Sequence, residues 1–253
     1  MKLLRDTWLL FARNVVATLR DPVWTVMGLF FPICYLVLFA PVLESIASVP
    51  SFPSGGALNV FTPGLLVLLA LFGTAYVGFG LIAEVRSGLI ERLRVTPVSR
   101  LALLLGRALR DVAVLLVQSL LLVAVALPFG LELDLTGLIL TFVLLALLGF
   151  ATVSCSYALA LALRSEDALS ATINSVNLPL LLLSGVLLPL SLAPDWLRAV
   201  ATVNPLTHAV DAARALFDGH IADVAVLRGF AVLAPLALLA LWWAARSFRR
   251  GVA

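Results

Sequence analysis

Over most of this chain apolar positions neither alternate nor recur every third or fourth residue; they run on in long blocks separated by short polar intervals. Continuous runs of about 20 residues fit helices that cross roughly 30 Å of hydrocarbon, whereas a membrane barrel would show period-two alternation. Six blocks are long enough: Val23 to Leu43, Phe61 to Ala83, Leu101 to Phe129, Leu135 to Leu163, Ala168 to Leu192 and Ala225 to Ala245. The third is continuously apolar only from Val112, with its helix starting nearer Leu101. The pattern predicts an all-α membrane protein with six transmembrane helices, built as a single domain over residues 1–253.

The intervals carry their own signals. Ahead of the first block, Leu4, Trp8, Phe11, Val15 and Leu19 recur at helical spacing with arginines between them. That predicts an N-terminal interfacial helix over 3–21, ended at Pro22. Between blocks one and two, PSFPSGG reads as a short external loop. Pro179 and Pro189 interrupt the fifth block, and Pro194 and Pro205 follow it. The stretch from Asp195 to His220 is too polar to span and too apolar to be a solvated loop. Two short stripes are visible there, Trp196–Leu197–Val200 and Leu206–Val210–Ala213–Phe217. They predict broken or re-entrant helices before the last span, divided at Asn204–Pro205. Their location, dipping into the outer half of the membrane or lying on its surface, stays open.

Composition strengthens the membrane assignment. Hydrophobic residues make up 62% of the 253 and charged residues 12%, too little polar surface for a water-soluble fold of this size. Fourteen of the 17 basic residues flank the blocks on one side, including Lys2, Arg20, Arg86, Arg107, Arg164 and Arg246; only Arg198, Arg214 and Arg228 lie on the other. The positive-inside rule then places both termini, and the interval from Glu84 to Arg100, in the cytoplasm. Nucleic-acid binding is not expected, because no basic module stands apart from the spans.

Catalytic patterns are missing from the sequence. The only lysine is Lys2, so the phosphate-binding GxxxxGK[ST] pattern cannot occur. His208 and His220 stand alone without HExxH or nearby cysteine, so no metal site is expected. No nucleophile elbow is present. The chain is expected to be no enzyme. Acidic residues are absent from the middles of the blocks, which argues against an ion-coupled carrier. A self-sufficient channel or secondary transporter remains the alternative function. Gln118, Asn174, Asn177, Asn204 and Pro205 are polar or helix-breaking positions at membrane depth, and are candidates to line a substrate path.

The interval EVRSGLIERLRVTPVSR, Glu84 to Arg100, holds four arginines and two glutamates. If it is helical from Val85 to Arg94, Val85, Leu89 and Leu93 share a stripe, Glu84 and Glu91 lie opposite, and Thr96–Pro97 ends the turn. ERLRVTPVSR, LGRALRD (Leu105 to Asp111) and NPLTHAVDAARALFDG (Asn204 to Gly219) together resemble the permease subunits of ABC-2-type exporters. That family includes daunorubicin-resistance-like drug exporters and nodulation and polysaccharide exporters. The resemblance covers the whole chain and favours the drug-exporter branch. It implies a permease in a bacterial inner membrane, moving a drug-like or lipid or glycolipid substrate outward. It further implies a second permease copy, surrounding membrane lipid, and a separate ABC ATPase dimer that holds ATP and magnesium; no cofactor is expected on this chain. Glu84, Arg86, Glu91, Arg92, Arg94, Thr96 and Pro97 would then form a short cytoplasmic coupling helix docked on that ATPase.

Overall fold

A computed structural model describes residues 2–20, 23–47, 57–88, 99–131, 133–186 and 194–251. These residues form helices and turns, with no strand among them. The order is α1 (Lys2–Arg20), α2 (Val23–Ala47), α3 (Ala57–Ala75), α4 (Gly78–Arg86), α5 (Arg100–Ala126), α6 (Leu135–Leu163), α7 (Glu166–Leu182), α8 (Asp195–Ala201), α9 (Pro205–Phe217) and α10 (Val224–Gly251). A short 3-10 turn, Leu127–Phe129, extends α5.

Side-chain caps set several starts. Ser99 Oγ accepts from the Ala102 amide at 3.1 Å, Asp134 Oδ2 from Gly137 at 2.7 Å, and Ser165 Oγ from Ala168 at 3.4 Å. Each satisfies one of the amide donors that a first helical turn leaves without a partner.

α6 is the axis of the bundle. It packs against α3, α4, α5, α7, α9 and α10. Leu144, Leu145, Leu148 and Tyr157 on it are among the most deeply buried side chains. α1 lies along α5. The axes of Leu3–Arg20 and Thr25–Phe39 meet at 69°. Leu4, Trp8 and Leu19 of the predicted stripe remain exposed.

Two predicted spans take a different form. The second block is α3 and α4, divided at Tyr76–Val77, although together they are apolar enough to cross as one 29-residue unit, Leu58–Arg86. Ser156 of α6 occupies the break: its Oγ accepts from the Gly78 amide at 2.9 Å and donates to the Ala75 carbonyl. A hydroxyl from a neighbouring helix thus replaces the bonds that the helix gives up, as it must where water is scarce. A side chain on Gly78 would put its Cβ 2.8 Å from both the Ser156 carbonyl oxygen and its Oγ.

The fifth block ends early. α7 stops at Leu182 after 17 residues instead of running on toward Leu192. It carries Pro179, and Gly185, with φ at +72°, turns the chain away. Four helical units among the described residues are long and apolar enough to cross a membrane, Leu58–Arg86, Leu101–Phe129, Leu135–Leu163 and Val224–Arg249; a fifth follows if the bent α1–α2 pair is one span. The fifth predicted span falls on α7, whose 17 residues are too few for that count.

α9 supports the turn after α7. Asn204 Nδ2 donates to the Leu180 carbonyl at 2.7 Å, and Thr207 Oγ1 to Leu183 at 3.0 Å. Arg214 donates from Nε to Val60 at 3.1 Å and from an Nη to Gly185 at 2.9 Å. Burial lowers the proton affinity of the Arg214 guanidinium, and the carboxylates of Asp211 and Asp218 oppose that shift. The stripe Leu206–Val210–Ala213–Phe217 is buried throughout, so α9 is a packed part of the bundle and does not lie flat on it. α8 is the exposed member of the pair, burying only Ala201.

Gly78→Ala is expected to destabilise the fold by about 1–3 kcal/mol through overpacking against Ser156. Gly80→Ala, where a Cβ meets nothing within 4 Å, is the neutral control; unfolding by sodium dodecyl sulfate in mixed micelles reads both.

Candidate functional site

Two features stand out, one at the arginine-rich end of the bundle and one beside the break in α3–α4.

At the first, Glu84 in the last turn of α4 forms an ion pair with Arg107 of α5. One turn along α5, Asp111 is 5% exposed, accepts from the Tyr157 hydroxyl of α6 and lies 3.1 Å from Arg110. An isolated carboxylate at such a position would be costly; here a phenol and guanidinium groups compensate it. Arg86 reaches from α4 to Glu166 at the start of α7, at 2.9 Å. Both partners of that pair are well exposed, so it contributes at most about 1 kcal/mol. The end of α4 is therefore held by charge to α5 and to the start of α7.

The predicted coupling residues divide accordingly. Glu84 and Arg86 turn to partners on α5 and α7. Glu91, Arg92, Arg94, Thr96 and Pro97 lie outside the described residues. Arg107, Asp111 and Tyr157 are the members that the sequence pattern did not single out. Arg107 and Asp111 both lie in LGRALRD, and their i, i+4 spacing was the available signal, but it does not name their partners on α4 and α6.

At the second feature, a cavity of about 220 Å³ opens between α3, α6, α7, α9 and α10. Ala75, Thr152, Cys155, Ser156, Asn177 and Pro205 are on its wall. Its surface is otherwise almost wholly aliphatic. Asn177 is 7% exposed, and its amide nitrogen has no hydrogen-bond partner, an uncompensated cost that a ligand acceptor would relieve.

The five predicted path residues do not form one site. Asn177 and Pro205 line the cavity. Asn174 sits one turn away, accepting from the Tyr76 hydroxyl at the α3–α4 break, at 2.5 Å. Gln118 instead ties α5 to α2 through the Thr25 carbonyl, at 2.7 Å. Asn204 is structural: besides its bond to Leu180, its Oδ1 caps α9 by accepting from the Leu206 amide at 3.0 Å.

A double-mutant cycle on Glu84→Gln and Arg107→Gln, read by the same unfolding titration, is expected to give a coupling energy of about 1–3 kcal/mol. Arg86→Gln with Glu166→Gln is expected to give less than about 1 kcal/mol.

Known proteins share this pattern over most of its length. The family model described as ABC-2 type transporter matches residues 5–217. A putative transport permease, ycf38, of Cyanophora paradoxa is 30% identical over 217 residues, covering 85% of this chain and 75% of that protein. The daunorubicin resistance ABC transporter permease protein DrrB1 of Streptomyces coeruleorubidus is 26% identical over 217 residues, covering 82% and 73%. The probable doxorubicin resistance ABC transporter permease protein DrrC of Mycobacterium tuberculosis is 26% identical over 232 residues, covering 89% and 78%. Several apolar helices around one axis, with charge concentrated at one end, agree with these matches: the chain belongs to the ABC-2 type transporter family, as one of its multi-pass membrane permeases.

Proposed function

We propose that this permease is the membrane half of an ATP-driven exporter, moving a drug-like, lipid or glycolipid substrate outward through the force of a separate ATPase dimer. ATP and magnesium belong to that partner. A second permease copy completes the membrane part, in a bacterial inner membrane with both termini cytoplasmic and α1 in the interface. The named drug-resistance relatives support the exporter class, and the bias of basic residues supports the orientation.

The observation that carries the reading is the Glu84–Arg107 pair. It joins the helices that enter and leave the arginine-bearing loop, so force on the loop reaches α4 and α5 together. From Glu84, α4 runs back six positions to Gly78 at the Ser156-bridged break, beside the cavity. This continuity from Glu84 to the break supports transmission of motion from the loop to the space where an amphipathic substrate would sit.

Asp111 favours a second reading. Buried carboxylates on membrane helices serve proton-coupled carriers, and Asp111 is one. Its ion pair with Arg110 and the hydrogen bond it accepts from Tyr157 support a structural role instead.

Glu91→Ala with Arg92→Ala is expected to reduce co-purification of the partner ATPase at least tenfold, a loss of about 1.4 kcal/mol or more, and to abolish permease-stimulated hydrolysis. Unchanged association and hydrolysis would remove the coupling role from the loop. Uptake by proteoliposomes of this chain alone, driven by an ion gradient and lost in Asp111→Asn, would establish the carrier reading in its place.

A further inference from the structure

A second cavity, of about 420 Å³, lies at the arginine-rich end, between the start of α5 and the end of α10. Leu101, Trp242, Ala245, Arg246 and Arg249 line it. The last four follow one face of α10 at i, i+3, i+4 and i+7. The Arg246 guanidinium is 5.5 Å from the centre of the Trp242 ring, within cation–π range. No carboxylate among the described residues lines the space.

Along the same helix the surface is apolar and uncovered: Leu238 is 69% exposed, Leu239 65% and Trp242 62%. Leu238, Trp242 and Arg246 stand in line at i, i+4 and i+8. A ligand here meets, in order, aliphatic surface, an indole and two guanidinium groups. The apolar unit Val224–Arg249 ends at this level, so the arginines stand at headgroup depth, where tryptophan is enriched.

We propose that this cleft binds one anionic phospholipid, with its phosphate on Arg246 and Arg249, its glycerol region against Trp242, Leu101 and Ala245, and an acyl chain along Leu238 and Leu239. Basic pockets between membrane helices recognise anionic headgroups in this manner, and guanidinium suits phosphate oxygens by its forked donors. A free inorganic anion would leave the adjoining apolar strip unused. The site shares no lining residue with the substrate cavity, and it stands whether or not the chain couples to an ATPase.

Native mass spectrometry of the purified chain tests this, with phosphatidylglycerol or phosphatidylcholine added to the micelles and with inorganic phosphate as competitor. Phosphatidylglycerol is expected to be retained in preference to phosphatidylcholine and to resist millimolar phosphate. Arg246→Gln with Arg249→Gln is expected to lower its retention about twenty-fivefold, at roughly a fivefold contribution per arginine. Arg246→Lys with Arg249→Lys keeps the charge and is expected to keep most of the retention. Arg228→Gln, at the opposite end of α10, is expected to change nothing. If the double glutamine variant fails to fold, Arg246→Gln alone is expected to show about a fivefold loss. Equal retention of the two lipids, unchanged retention in the glutamine variants, or displacement by inorganic phosphate would overturn the proposal.

Discussion

A backbone amide or carbonyl inside a bilayer has no partner except protein, and this constraint organises the molecule. Helices satisfy it alone, so each break needs a donor or acceptor from elsewhere. The break in α3–α4 is met by Ser156, and the turn after α7 by Asn204, Thr207 and Arg214. The same two interruptions border the cavity: Ala75 and Ser156 line it at one, Leu180 and Pro205 at the other. Space for a ligand arises where the helices are interrupted and their polar groups are held by neighbours.

This arrangement gives the loop something to act on. Under the proposed function, α4 is a short rigid piece between the loop and the break, tied to α5 by Glu84–Arg107 and to α7 by Arg86–Glu166. The second tie is exposed and weak, and the first, partly buried, is expected to couple its partners more tightly. Movement of α4 about Tyr76–Val77 therefore carries α5 with it more readily than α7. Asn174, bonded to the Tyr76 hydroxyl, and Asn177, on the cavity wall, lie on the α7 side of that junction.

Parts of this were legible in the sequence for physical reasons. α6 matches its predicted limits because Asp134 caps one end and the apolar run closes at Leu163, before Arg164. The division at Asn204–Pro205 was readable because asparagine caps and proline opens a helix. The break at Tyr76–Val77 was not, because no proline marks it and its partner, Ser156, is 78 residues from Gly78. The prolines around α7 announced an interruption but not its position. At the loop, charge density indicated an important place; it did not reveal that Glu84 turns inward to Arg107, since the pairing depends on how α4 meets α5. Asp111 was visible as the end of LGRALRD, but its burial was not, because its hydrogen-bond partner Tyr157 lies on another helix, 46 residues away.

The most direct test of an external drive through this loop is site-specific photo-crosslinking. A photoreactive residue at position 92, in membranes that also contain the candidate ATPase, is expected to capture that ATPase, with a yield that changes when the ATPase is trapped with nucleotide. The same residue at position 228, at the other end of the bundle, is expected to capture none. Absence of ATPase capture at position 92, from membranes in which the chain still moves substrate, would contradict the account.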